Sequence, residues 1–312
     1  MNITSRLFSD EQDLHLLKQF ITDLWSNGSD QHYFHLGDLI WQIYQNTIFD
    51  PYQNIRIWQN DAGQLLGFAM FDVTRTAFSA AFQVHPRHHE NNTLYDAMVH
   101  WIDERTHETE NSDDPVWSAP GRDTIWTGAY EDDVALSHAL ERHGFVRGEV
   151  SMLHMSQSLN YSIDIPILPA GWQVRHVAGE HEFEERAAIH RDVWHPSRVT
   201  LESYQRMRTI PGYTPELDLV AVSPTGTFAS YCICWLDATN KCGEFEPVGT
   251  RAAFRGQRIG KAVMLEGLRR LQARGATTVI VATNYGNEAA IKLYESVGFR
   301  IVAREYAYSR SL

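Results

Sequence analysis

Apolar and polar positions along the chain follow two periods in turn. Ile3 to Phe8 alternates every second residue and predicts a strand. Ser9-Asp-Glu-Gln-Asp13 then offers helix-capping side chains. Leu14, Leu17, Phe20, Ile21 and Leu24 fall on one face of a 3.6-residue period and predict a helix. Trp41, Ile43, Tyr44 and Ile48 suggest a second helix. Ile55–Trp58 and Leu65–Phe71 flank Asp61-Ala-Gly63 and read as a hairpin. Phe78–Val84 predicts a strand, Thr93–Glu104 a helix, and the polar, proline-bearing stretch His107–Asp123 a loop. Thr124–Thr127 is a short strand, Asp132–His143 a helix, and Gly144-Phe145 opens a last strand toward Leu159.

The same order then returns. Trp172–Val177 predicts a strand, Glu180–Val193 and Thr200–Met207 two helices, and Leu217–Val222 with Phe228–Leu236 a hairpin around Pro224-Thr-Gly226. Gly144-Phe145 aligns with Gly298-Phe299 at an offset of 154 residues. Under that offset Asp133 stands where Asn287 is, and Leu140 where Tyr294 is. Pro166 and Pro169 interrupt the pattern between the two halves. The expectation is two related domains, residues 1–160 and 171–312, joined by a linker at 161–170. Each would be α/β, a mixed and mostly antiparallel sheet flanked by helices.

Glu244 to Phe299 concentrates the candidate chemistry. The extended segment Glu244-Phe-Glu-Pro-Val-Gly-Thr250 leads to a loop with glycines at 256 and 260, and a helical pattern follows from Lys261 to Arg274. The first four N–H groups of a helix lack intrahelical partners and carry partial positive charge. Glycines let a ligand approach that backbone closely. Arg255, Arg258 and Lys261 add formal charge, so the loop suits phosphates, most naturally a pyrophosphate. An ordinary basic loop capping a helix has the same composition. Further on, Asn287 can cap a helix whose Tyr294 lies two turns along roughly the same face, and Gly298 suits the position after its end.

These residues carry a resemblance. Val248-Gly-Thr-Arg-Ala-Ala-Phe-Arg-Gly-Gln-Arg-Ile-Gly260 is similar to the acyl-CoA signature of the GNAT N-acetyltransferases. Asn287, Ala290, Leu293, Tyr294, Gly298 and Phe299 resemble their second signature, in the right order, with a strand (Thr277–Ala282) between the two. Arg258 departs from the pattern, standing where the family usually has its middle glycine; a basic residue is tolerated there if the backbone stays helical. The resemblance covers roughly residues 170–310.

The resemblance implies acetyl transfer from acetyl-CoA to a primary amine by direct attack on the thioester. Backbone N–H groups from Gly256 through Gln257, Arg258 and Ile259 to Gly260 would hold the pyrophosphate, with Arg255, Arg258 and Lys261 around them. The pantetheine arm would add to the edge of the strand bearing Val248 and Thr250. Pro247 and Gly249 fit a strand that does not pair throughout, and Asn287 would contact the arm. The amine must lose a proton, which Glu246, or Glu244 two residues away, could accept; both could equally be ordinary strand residues. Tyr294 is the candidate acid for the departing thiolate, and core is its alternative role. His190 and His195 stand where family acceptor pockets lie, and are either lining or solvated. Trp194, Tyr204 and Tyr213 are either pocket wall or core. In the first half, Arg87-His-His-Glu-Asn-Asn-Thr93 holds no glycine and has Glu90 in place of Gly256. That domain is therefore read as degenerate.

Composition narrows the partners. Net charge is −12, yet residues 245–312 carry 11 basic and 5 acidic residues, leaving −18 elsewhere. An acidic body argues against nonspecific nucleic-acid binding, and the local basic excess fits an anionic cofactor. Cys232, Cys234 and Cys242 lack zinc spacing, and the histidines form no metal triad, so no metal is expected. No apolar run reaches membrane-span length and the first residues do not read as a secretory leader. The expectation is a cytoplasmic enzyme with a small-molecule amine acceptor, no nucleic-acid or membrane partner, and a homodimer left open. The competing reading is a tandem module that binds CoA and senses it without transfer.

Overall fold

The computed structural model describes residues 2–26, 33–74, 77–110 and 122–312. In chain order the elements are β1 (Ile3–Leu7), α1 (Glu11–Ser26), α2 (Leu36–Tyr44), α3 (Pro51–Asn54), β2 (Ile55–Asn60), β3 (Leu65–Val73), β4 (Phe78–Val84), α4 (Asn92–Glu110), β5 (Thr124–Tyr130), α5 (Val134–Arg142) and β6 (Val146–Ser158). There follow β7 (Gln173–His176), α6 (Phe183–Val193), α7 (Leu201–Arg208), β8 (Asp218–Val222), β9 (Phe228–Asp237), β10 (Cys242–Thr250), α8 (Ile259–Ala273), β11 (Thr278–Asn284), α9 (Glu288–Ser296) and β12 (Arg300–Ser311). The mixed α/β class expected from the periodicity is the class observed. Boundaries differ at two helices: α2 ends at Tyr44, short of Ile48, and α4 runs on to Glu110, through the start of the segment read as a loop. Its periodic residues Met98, Val99 and Ile102 continue into Thr106 and Thr109, whose hydroxyls bond back to the carbonyls one turn earlier. Residues 111–121 of that expected loop lie outside the described residues.

The chain packs as two units. In the first, β1, β2, β3 and β4 form an antiparallel meander. β4 then pairs parallel with β5, as the crossover helix α4 requires. β5 pairs antiparallel with β12, from Glu305↔Tyr130 to Ser311↔Thr124. In the second unit β7, β8, β9 and β10 repeat the meander. β10 pairs parallel with β11 across α8, and β11 is followed by β6. The internal repeat is thus visible strand by strand. Caps repeat as well: Asp133 accepts the Leu136 N–H at the start of α5, and Asn287 accepts the Ala290 N–H at the start of α9.

Packing does not follow the linear division at 161–170. The first unit takes residues 303–312 from the end of the chain, and the second takes 34–47 and 154–160 from before the linker. The closing strand of each meander-plus-crossover therefore comes from the other half of the sequence. Each unit has its own core. Trp58, Phe71, Phe78, Leu94 and Ile102 anchor the first. Phe245, Ile259, Leu268, Val279, Tyr294 and Phe299 anchor the second.

Candidate active site

The site is built on β10 in the second unit. β10 stays paired to β9 along its length, with a register shift between Phe245 and Val248. Its parallel pairing with β11 runs only from Cys242↔Thr278 to Glu244↔Ile280. Beyond Glu244 the two strands diverge. Pro247, which has no N–H to give, lies in the divergent part. Residues 245–250 keep an edge to which an extended, amide-bearing chain can add as a further strand.

α8 begins just past that edge. Its N-cap, Arg258, makes no side-chain cap hydrogen bond, so the first N–H groups of the helix remain available. The sequence reading allowed Arg258 on condition of helical dihedrals; its φ is instead +64°, in the left-handed region. A non-glycine residue there costs on the order of 1–2 kcal/mol. Gly256 also has a positive φ, +75°, and space around its Cα is open. Gly260 is the opposite case: a Cβ there would lie 2.9 Å from Thr250 Oγ1, so glycine lets α8 start hard against β10. Thr250 Oγ1 is itself bonded to Ser230 Oγ at 2.8 Å.

The remaining loop residues divide between anchoring and core. Arg255 Nε donates to the Thr250 carbonyl (3.1 Å), Gln257 Nε2 to that of Ala253 (3.0 Å) and Lys261 Nζ to that of Ser296 (2.8 Å). Ile259 is buried and Val248 half-buried against the same core, so each presents backbone rather than side chain to the edge. Asn287 spends its Oδ1 on the α9 cap at 3.2 Å.

Tyr294, on α9, is 6% exposed, with its ring 6.1 Å from Phe299. It is core by packing. Its hydroxyl, however, has no hydrogen-bond partner among the described residues. Burial, then the charges of Glu246 and Cys232, raise its pKa, so the phenol keeps its proton. Both acid–base candidates on β10 are also shifted upward. Burial pushes Glu244 up to about 8. Burial, with Asp38 and Glu244 adding repulsion, holds Glu246 well above the carboxylate range. Glu244 Oε2 lies 3.0 Å from His35 Nδ1 and accepts the Asp38 backbone N–H at 3.1 Å. The carboxylate of Glu246 has no such partner among the described residues.

An aromatic group stands beside the divergent strand. His190, 5% exposed, packs against Trp41 (5.3 Å between ring centroids), Tyr231 (5.9 Å) and Trp194 (6.3 Å, stacked). Its Nδ1 is 2.9 Å from Ser197 Oγ. Burial, with Arg186 and Arg191 nearby, holds its pKa down at about 3, so the ring is neutral. Trp194 is half-exposed and donates from Nε1 to the Tyr231 hydroxyl at 2.9 Å. Gly249 is what lets β10 pass this wall: a Cβ would come within 2.6 Å of the Tyr231 ring.

Of the two histidines singled out from sequence, His190 is buried in this wall and His195 is exposed. Tyr204 and Tyr213 are core: both donate to Asp218 Oδ2, at 2.6 and 2.7 Å, while Arg186 Nε donates to Oδ1 at 2.8 Å. Arg186 in turn lies 4.0 Å over the Tyr231 ring and props the wall from behind. Sequence reasoning missed His35, Asp38, Trp41, Arg186 and Tyr231. Only Asp218 left a trace, as a charged residue opening an otherwise apolar strand. In the first unit, the loop matching the α8 approach is filled by its own side chain: His89 Nε2 is 3.0 Å from the Val84 carbonyl and 2.9 Å from the Tyr33 hydroxyl. Among the described residues no His, Cys, Asp and Glu group is placed to hold a metal ion, and no helix is long and apolar enough to cross a membrane.

Comparison with known proteins agrees with this geometry. Residues 183–299 match the Acetyltransferase (GNAT) family. The chain is 27% identical over 273 residues to a mycothiol acetyltransferase of Saccharopolyspora erythraea, covering 84% of this chain and 87% of that protein. It is 25% identical over 263 residues to one of Saccharomonospora viridis, covering 80% of each. Two solved structures share the fold. A GCN5-related N-acetyltransferase from Sphaerobacter thermophilus gives a TM-score of 0.66 at 19% identity, covering 99% of this chain and 95% of that one. A tandem GNAT protein from the clavulanic acid biosynthesis pathway gives 0.63 at 15% identity, covering 99% and 98%. Residues 183–299 therefore match a GNAT acetyltransferase domain, and the chain as a whole shares its fold with a tandem GNAT protein.

Proposed function

We propose that the second domain transfers an acetyl group from acetyl-CoA to the primary amine of a small molecule. The divergence of β10 from β11 after Glu244 is the observation that carries this reading. It leaves an edge for the pantetheine amides beside a helix start open to the pyrophosphate, with Gly256, Gln257, Arg258, Ile259 and Gly260 supplying backbone and Arg255, Arg258 and Lys261 charge. Val248 and Thr250 would border the arm, and Asn287 would meet it. Glu246 takes a proton from the bound ammonium. The freed nitrogen attacks the thioester carbonyl, the C–N bond forms, and the C–S bond breaks. The departing thiolate takes the phenol proton of Tyr294, and the phenolate is reprotonated by the second proton that the acylated nitrogen must lose to become the amide. The carboxyl groups and the aromatic wall of Trp41, His190, Trp194 and Tyr231 suit a cationic acceptor. The unacetylated precursor of mycothiol is the first acceptor to try, because relatives bear the name mycothiol acetyltransferase. Residues 1–160 are read as a degenerate domain without a cofactor of its own.

Thermal melting with acetyl-CoA, together with thiol release over an amine panel, tests the reading. Saturation at a hundredfold excess over Kd stabilises by about 2.7 kcal/mol. Gly256→Glu should remove the shift, and Gly256→Ala controls for backbone strain. Tyr294→Phe should keep the shift and lose roughly 10- to 1,000-fold in kcat. A shift without thiol release from any amine would favour a CoA sensor.

A further inference from the structure

Three carboxyl groups from two elements meet in the second unit: Asp38 on α2, and Glu244 and Glu246 on β10. The first turn of α2 is shaped around one of them. His35 caps the helix, and Asp38 closes the capping box by accepting the His35 backbone N–H at 2.9 Å. The His35 ring is gripped at both nitrogens. Nε2 faces the Cys242 carbonyl at 3.3 Å, while Nδ1 faces Glu244 Oε2 at 3.0 Å and the Gly37 N–H at 3.2 Å. Gly37 has no room for a side chain: a Cβ would fall 2.2 Å from Glu244 Oε2 and 2.3 Å from the Trp235 ring. Glu244 is thus fitted into the turn, whereas the Glu246 carboxyl group has no hydrogen-bond partner among the described residues; its backbone carbonyl accepts from Trp235 Nε1 at 2.6 Å.

The ring and the carboxyl share their proton in one of two ways. With Nε2–H donating to Cys242, Nδ1 accepts from a protonated Glu244; as imidazolium, Nδ1–H donates to the Glu244 carboxylate and the bond it accepts from the Gly37 N–H is given up. Both arrangements are neutral, and a second proton makes the pair positive. Loss of the remaining proton leaves the pair with one negative charge, so the pair is free of net negative charge only while that proton is held.

We propose that His35 is a positioning residue for the acyl transfer: by closing on Glu244 it holds the shared proton and keeps the pair free of net negative charge, leaving Glu246 as the carboxylate that takes the acceptor's proton. This rests on the acyl-transfer reading given above. The other titratable groups facing the pair are Asp38 on α2, Cys242 on β10 and Asp237 at the end of β9. Tyr231 on β9 and Tyr294 on α9 face Glu246. Burial opposes charge on His35, but its contacts with Cys242 and the charges of Asp38 and Asp237 outweigh that and raise its pKa.

The test uses full-length protein carrying carbon-13 at the glutamate side-chain carboxyls, with Glu246 assigned through Glu246→Gln. Its titration midpoint is followed in wild type, His35→Gln, Glu244→Gln and the double variant. In His35→Gln, Glu244 has lost the ring with which it shares the proton and should ionise at lower pH, so the Glu246 midpoint rises. In the double variant both charges are gone and the midpoint returns toward wild type. The acidic limb of kcat/KM, read with acetyl-CoA and the unacetylated precursor of mycothiol, should move in the same pattern. A rise of one pH unit lowers the rate about tenfold below the limb. A midpoint unmoved by His35→Gln, or a double variant that stays with His35→Gln, overturns the proposal. A purely structural loss would not be reversed by removing a second buried group. If the precursor is not acetylated, the choice of acceptor fails while the titration still decides. If His35→Gln does not fold, a Glu246 midpoint higher in Glu244→Gln than in wild type overturns the proposal.

Discussion

His190 shows how a single buried ring sets a pH dependence. Its pKa in the folded chain is about 3, held down first by burial and then by Arg186 and Arg191, against an ordinary value of about 6.5. A depressed basic group binds fewer protons folded than unfolded between those values, so stability is full above the ordinary value and falls as pH drops toward 3. The slope is roughly 1.4 kcal/mol per pH unit across that window. His190→Gln should flatten the acid side of the melting-temperature profile; equal slopes in the two proteins would exclude the effect. Glu244 has the reverse sign, losing stability as pH rises from the ordinary carboxyl value toward about 8, so comparing variant with wild type isolates His190. Local pattern put His190 at a helix end and left it either lining a pocket or solvated. Its burial depends on Trp41, Tyr231 and Trp194, which arrive from α2, from β9 and from the turn after α6, and no local spacing reports such a meeting.

At the scale of elements, the most legible parts were those whose physics is local. Asn287 was expected to cap α9, and it does, because a side-chain carbonyl three residues ahead of a free N–H needs no tertiary help. Asn287→Ala should cost about 1 kcal/mol of stability, typical for a lost N-cap. If the residue also meets the pantetheine arm, the variant should weaken acetyl-CoA binding in calorimetry, whereas Asp at that position should restore the cap alone. Arg258 was less legible. Its side chain fits the expectation of a basic loop, but its backbone is left-handed rather than helical, a choice made by the entry of α8 against Thr250. The divergence of β10 was foreshadowed by Pro247 and Gly249. Its starting point was not, because that depends on where pairing with β11 stops.

For the whole molecule, the internal repeat could be read from sequence because it is a repeat of periods and turns. The assignment of pieces to packing units could not, since strands beyond the linker have no sequence mark saying which sheet receives them. Residues 171–312, expressed alone, lack 34–47 and 154–170 of the second packing unit. That fragment should show no cooperative melt and no acetyl-CoA shift, while the intact chain shows both. A fragment that melts cooperatively and responds to acetyl-CoA would mean α2 and the end of β6 are dispensable to it.

The glycine at position 37 has a consequence for inheritance. Its absent side chain is filled by a carboxylate more than two hundred positions away in the chain, at Glu244. A recombination that grafted a relative's second half onto this first half would import a new partner for an old socket. At this contact the two halves of the sequence are tied, since a side chain at position 37 would need a smaller residue at 244.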